Sequence, residues 1–135
     1  MSYQIIVDNE WATVRYEPKD KYLYHTFHKP IVDNPEALRD IMYKALDTLI
    51  SNGAEKWLSD DRNNAAFKPE SVQEAVSQWG PAAAAAGWKY WALVVPQSIA
   101  GRAAMTDLVE AFYGLGVRVA VFTDVEDARA WLETV

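Results

Sequence analysis

The chain has 135 residues and a formal net charge of −6; half of the residues are hydrophobic and none is cysteine. That length suits one domain able to bury a sizeable core without metals or cross-links, and the lack of cysteine excludes a disulfide framework, a thiolate nucleophile and a cysteine-ligated metal. Thirteen scattered Lys and Arg against 19 Asp and Glu argue against nucleic acid as a partner.

From Met1 to Trp11 there is no basic start followed by an apolar block, so no secretory leader is expected. Three short β-rich runs follow one another, Tyr3 to Val7, Trp11 to Tyr16 and Lys21 to His28. The polar stretches Asp8-Asn9-Glu10 and Pro18-Lys19-Asp20 separate them, which is the pattern of an antiparallel meander. Its aromatic residues Tyr22, Tyr24 and Phe27, read as exposed, suit a symmetric dimer. With six tryptophans and seven tyrosines, the chain is rich enough in aromatics for an aromatic core, an interface or an apolar pocket.

The hydrophobic period changes at Asn34-Pro35. Asp33 or Asn34 is placed to cap a helix, and Pro35 suits its first turn. Ala37, Leu38, Ile41, Met42, Ala45, Leu46, Leu49 and Ile50 predict its buried face, with Arg39, Asp40, Tyr43, Lys44, Asp47 and Thr48 opposite. Gly53 ends it, since glycine accepts the left-handed backbone of a helix C-terminus. Glu55 to Asp60 predicts a strand, and 69–86 a helix kinked or broken near Gly80-Pro81. Trp88 to Val95 is nearly continuous in apolar residues, as in a strand covered on both faces. A helix over about 101–113, a strand from Val117 to Phe122 and a capping box at Thr123-Asp124-Val125-Glu126 before the last helix complete the chain. The longest apolar candidate, 81–96, is broken by Gly87 and Lys89 and falls short of the roughly 20 residues that a bilayer needs. The expectation is a cytoplasmic protein without a transmembrane segment.

This alternation predicts one α/β domain over 1–135. Its mixed sheet of about six strands has an N-terminal antiparallel meander followed by alternating helices and parallel strands. The order of elements, the strand ending in Leu58-Ser59-Asp60-Asp61-Arg62, the stretch from Pro81 to Pro96 and the ending from Phe122 to Leu132 together resemble the SpoIIAA-like bacterial proteins. These are relatives of the STAS domain that share a core with the CRAL-TRIO lipid-binding fold. In STAS anti-sigma antagonists the matching loop carries aspartate and then a serine phosphorylated by a partner kinase. Asp60 matches that aspartate, but Asp61 stands in the serine's place and Ser59 precedes it on the strand. The resemblance therefore implies the fold without the usual phosphoacceptor, with Asp61 as a fixed charge near the positive end of a helix.

Ligands of α/β sheets sit beyond the carboxyl ends of the parallel strands. The candidate binding residues are accordingly Asp60, Asp61, Arg62, Asn63 and Asn64 after the first such strand, Gln97, Ser98 and Arg102 after the second, and Asp124 after the third. Arg62 and Arg102 suit an anionic group. Strand alternation sends Asp60 and Asp61 to opposite faces, so they share a hard cation only if the chain bends between them. His25 and His28 face opposite ways by the same rule and are read as surface residues rather than zinc ligands. Ser98 lacks a glycine elbow, and no phosphate-binding loop occurs. With no complete catalytic set, neither cofactor nor metal is expected. The expected function is a non-enzymatic STAS-like regulatory or ligand-binding module, taking a protein partner or a small apolar or anionic ligand at the loop edge. The alternatives are a small hydrolase or transferase using Asp60 or Asp61, and a lipid carrier with an aromatic-lined cavity.

Overall fold

Among the described residues, six strands lie side by side in chain order: β1 (Gln4–Asp8), β2 (Ala12–Glu17), β3 (Tyr22–Phe27), β4 (Lys56–Asp60), β5 (Tyr90–Val94) and β6 (Arg118–Phe122). The structure, a computed structural model, describes residues 3–135, so Met1 and Ser2, where the reading of the N-terminus begins, lie outside it. The first three strands are antiparallel, and β3 to β6 run parallel. This is the mixed sheet that the alternation of elements predicts.

Helix α1 (Pro35–Asn52) connects β3 to β4. Between β4 and β5 the chain runs through α2 (Pro69–Glu74), a π-helical segment (Ala75–Trp79) and α3 (Gly80–Ala85). Helix α4 (Ile99–Gly114) joins β5 to β6, and α5 (Val125–Thr134) closes the chain. Parallel strands that advance in one direction with one crossover hand put their connecting helices on one face of the sheet. That face packs Leu23, Phe27, Trp57 and Trp91 against Ile41, Ala83 and Phe112. The other face packs Tyr22, Tyr24, Leu58 and Val94 against Ala128 and Leu132 of α5. No described helix is long and apolar enough to cross a membrane.

The helix ends follow from local chemistry. Asn34 Oδ1 accepts from the Ala37 amide at 3.1 Å, and Gly53 closes α1 at φ 59°. Ser98 Oγ accepts from the Gly101 amide at 3.0 Å, which starts α4 at Ile99, two residues earlier than the sequence predicts. The last cap is Asp124 rather than Thr123: its carboxylate accepts from the Glu126 amide at 3.0 Å. In α1, Leu49 is fully buried while Ile50, about 100° further round the helix, is 52% exposed, so Ile50 leaves the predicted apolar face. Tyr43, assigned to the polar face, is instead half-buried.

The expected kink at Gly80-Pro81 takes the form of the π-helical segment. Pro81 has no N–H, and its ring conflicts with the carbonyl four residues back. Widening the preceding turn relieves this, and the Gly80 amide reaches the Ala75 carbonyl five residues away. Tyr22, Tyr24 and Phe27 are 0%, 9% and 2% exposed, so the meander aromatics belong to the two cores and not to a dimer surface. Their alternation within β3 sends the tyrosines to one core and Phe27 to the other.

Candidate ligand-binding cavity

Leu23, His25 and Phe27 of β3 share a face with Trp57 and Ser59 of β4, because side chains alternate along a strand and His25 pairs with Ser59 in register. Asp61, one step past β4, continues that series. The helix-covered face therefore holds three polar side chains in an otherwise apolar layer. His25, Ser59 and Asp61 are 5%, 2% and 2% exposed. The expectation of surface histidines thus fails for His25, while His28 is exposed and its Nε2 lies 2.8 Å from Thr13 Oγ1.

The hydrogen bonds fix the states of these groups. Trp57 Nε1–H donates to His25 Nδ1 at 2.9 Å, and an indole nitrogen can only donate. The imidazole proton is therefore on Nε2, which donates to Asp61 Oδ1 at 3.2 Å. Trp91 Nε1–H donates to Ser59 Oγ at 2.6 Å, leaving the hydroxyl hydrogen free to donate. Asp61 is held in the backbone as well, since its amide donates to the Val94 carbonyl and its carbonyl accepts from the Asn64 amide, both at 3.0 Å. Its second carboxylate oxygen has no partner among the described residues. Burying a carboxylate without a cationic partner costs on the order of 3 kcal/mol or more, and the bond from neutral His25 offsets only part of that.

These three groups line a partly open cavity of about 100 Å³ between the sheet, α1, α2 with its π segment, and α4. The rest of its wall is apolar and mostly aromatic, with Trp57, Trp79, Trp88, Trp91 and Phe112 as the main contributors. Those five pack edge-on or tilted at centroid separations of 5.2–6.0 Å, the arrangement that aromatic quadrupoles favour. Arg39 and Glu74 also line the cavity and pair at 3.1 Å from α1 to α2. For scale, an apolar cavity of about 150 Å³ accepts benzene.

Of the nine residues singled out in the sequence, only Asp61 lines this cavity. Asp60 points to the α5 face, where Arg62 donates to both of its oxygens at 2.9 and 2.8 Å. That bidentate bond and the negative charge of Asp60 hold the guanidinium above its ordinary range, against a smaller opposing effect of burial. Arg102 Nε donates to the Pro96 carbonyl at 2.9 Å, Ser98 and Asp124 cap helices, and Asn63 and Gln97 are exposed. Buried Asn64 accepts from the Ile31 amide at 3.4 Å, and its Nδ2 has no partner. The loops do meet at one edge: Val95 donates to the Phe122 carbonyl at 3.0 Å and Gln97 to that of Arg62 at 3.3 Å. The shared rim exists; there Asp60 and Arg62 hold each other while Ser98, Arg102 and Asp124 bond backbone groups, and the open space lies beneath it.

Both nitrogens of His25 are engaged, and Ser59 makes no hydrogen bond to it, so no relay activates the hydroxyl. Asp60 and Asp61 face opposite sides of the sheet and cannot act on one substrate. Ser59 is also shielded from a kinase by its burial. The carboxylate of Asp61 is buried and meets His25, in place of the helix end expected to stabilise it as a fixed charge. No group of three or more potential metal ligands occurs among the described residues. Comparison of the chain with family models, with curated proteins and with solved structures returns no match.

Proposed function

We propose that the protein is a non-enzymatic, STAS-like binding module whose ligand is a small, largely apolar molecule held in the cavity beneath the loop edge. The observation that carries this reading is an aromatic-walled cavity containing a few convergent polar groups at the carboxyl ends of parallel strands, the usual location and composition of ligand sites in α/β folds. Its size favours a small molecule over the acyl chains of a lipid, so the CRAL-TRIO likeness extends to the type of wall and not to a lipid cargo. The π-helical segment supports the reading too, because such widened turns recur at functional sites, and here Ala75 and Trp79 from that segment line the cavity. In a regulatory module, occupancy would be sensed through α2, which forms part of the wall and part of the outer surface.

Filling the cavity tests the idea. Small, largely apolar probes such as isobutanol or pyrrole should raise the melting temperature of the native chain and leave that of Ala75→Phe unchanged, because the added ring occupies the same space. Equal shifts in both proteins, or none in the native chain across a broad set of such probes, would refute it.

A further inference from the structure

Resting on that reading, we infer that the ligand is a small organic cation, an alkylammonium whose nitrogen meets Asp61 and whose carbons lie against the indole and phenyl rings.

The inventory of polar atoms at the cavity leaves little choice. All four of its indole N–H groups are spent inside the protein: Trp57 on His25, Trp91 on Ser59, Trp79 on the Met42 carbonyl at 3.0 Å and Trp88 on the Tyr90 carbonyl at 3.1 Å. His25 accepts on one nitrogen and donates from the other to Asp61. The charged hydrogen-bonding capacity that remains is the second carboxylate oxygen of Asp61, supplemented by the neutral hydroxyls of Ser59, Ser71 and Tyr43. Arg39 is the one cationic side chain lining the cavity, and it is largely exposed and paired with Glu74.

Inside the cavity, then, a buried carboxylate stands beside a neutral imidazole with no cation to balance it. A ligand ammonium supplies both the missing positive charge and N–H donors for the unpartnered oxygen. The aromatic wall favours the same ligand, because ring faces attract cations. An anionic ligand would approach the like charge of Asp61, with only the neutral hydroxyls of Ser59, Ser71 and Tyr43 as donors beside the paired Arg39. A neutral alcohol would satisfy the oxygen but leave the charge uncompensated. The net charge of −6 adds long-range attraction for a cation.

Three probes of the same branched shape separate these cases: isobutylammonium, isobutanol and isobutyrate, titrated into the native chain while the indole N–H resonances and the heat of binding are followed. Isobutylammonium should bind at least tenfold more tightly than isobutanol, and isobutyrate should not perturb the indoles. Asp61→Asn keeps the side-chain shape and still accepts from His25, and it should abolish the tenfold preference while leaving isobutanol binding in place. If the alcohol or the acid binds as tightly as the amine, the cation assignment falls and the cavity reading survives. If none of the three perturbs Trp57 or Trp91, both fall. The comparison of probes on the native chain decides the matter even where Asp61→Asn does not fold.

Discussion

Arg62 grips Asp60 through two hydrogen bonds, and the cost of losing that grip depends on where the acid sits. A solvent-exposed ion pair contributes about 0–1 kcal/mol. The Asp60 side chain, however, is only 4% exposed, while that of Arg62 is 41% exposed. Truncating the arginine therefore strands a carboxylate that water reaches poorly. Arg62→Ala should lower the unfolding free energy in urea by about 2 kcal/mol, the middle of the range for an abandoned buried acceptor after allowance for the exposed guanidinium. Asp60→Asn added to it should recover part of the loss. A change below about 0.5 kcal/mol in the single variant would place the pair among ordinary surface contacts. This loop also shows what could be read from the chain and what could not. Alternation correctly sends Asp60 and Asp61 to opposite faces, but the partner of each depends on what the other strands bring there. His25 carried a usable signal: with Leu23 and Phe27 on either side at a spacing of two, a polar residue in the inward register of a buried strand marks a paired interior group.

Within the connection from β4 to β5, the three helical segments follow from Gly80 and Pro81 together. Proline forces the widened turn, and glycine permits the close approach that the turn creates. A methyl group at residue 80 would lie 2.5 Å from Phe112 Cε1 and 2.8 Å from the Ala75 carbonyl. Phe112 is packed against Trp79, Trp88 and Trp91 and cannot retreat without disturbing the cavity wall. Gly80→Ala should therefore destabilise the fold by about 1–3 kcal/mol, the usual cost of overpacking, although alanine is the better helix former in isolation. Thermal denaturation showing equal or greater stability would mean that Phe112 has room to move. Elements as a class were readable in the sequence because period, proline and glycine are local signals. The π-helical segment was readable only as a kink, since its form depends on which side chains crowd the turn. The tryptophans were readable as aromatic content, but their convergence on one cavity needed the parallel register of β4 and β5 and the π-helical segment that sets Trp79 against Trp57 and Trp88.

At the scale of the whole molecule, the two faces of the sheet are held unequally, and the weakest element borders the cavity. Helix α5 buries Ala128 and Leu132 in the smaller core, and α1 and α4 bury several residues each in the larger one. Helix α2 buries none, and Lys68 before it makes no side-chain capping bond. Short helices with little buried apolar area open at low free-energy cost, independently of global unfolding. Yet α2 supplies Ser71, Val72 and Glu74 to the cavity wall, so a ligand lodged there adds contacts that the empty chain lacks. In hydrogen exchange, the amides of 72–74 should exchange fastest among the helix interiors, and those of β4 and β5 slowest. A bound probe should slow α2 strongly while leaving α5, across the sheet from the cavity, unchanged. Protection of α2 equal to that of the central strands in the empty protein would mean that the wall is preformed and rigid. Equal slowing of α5 would mean that the ligand acts by stabilising the whole fold and not through this helix.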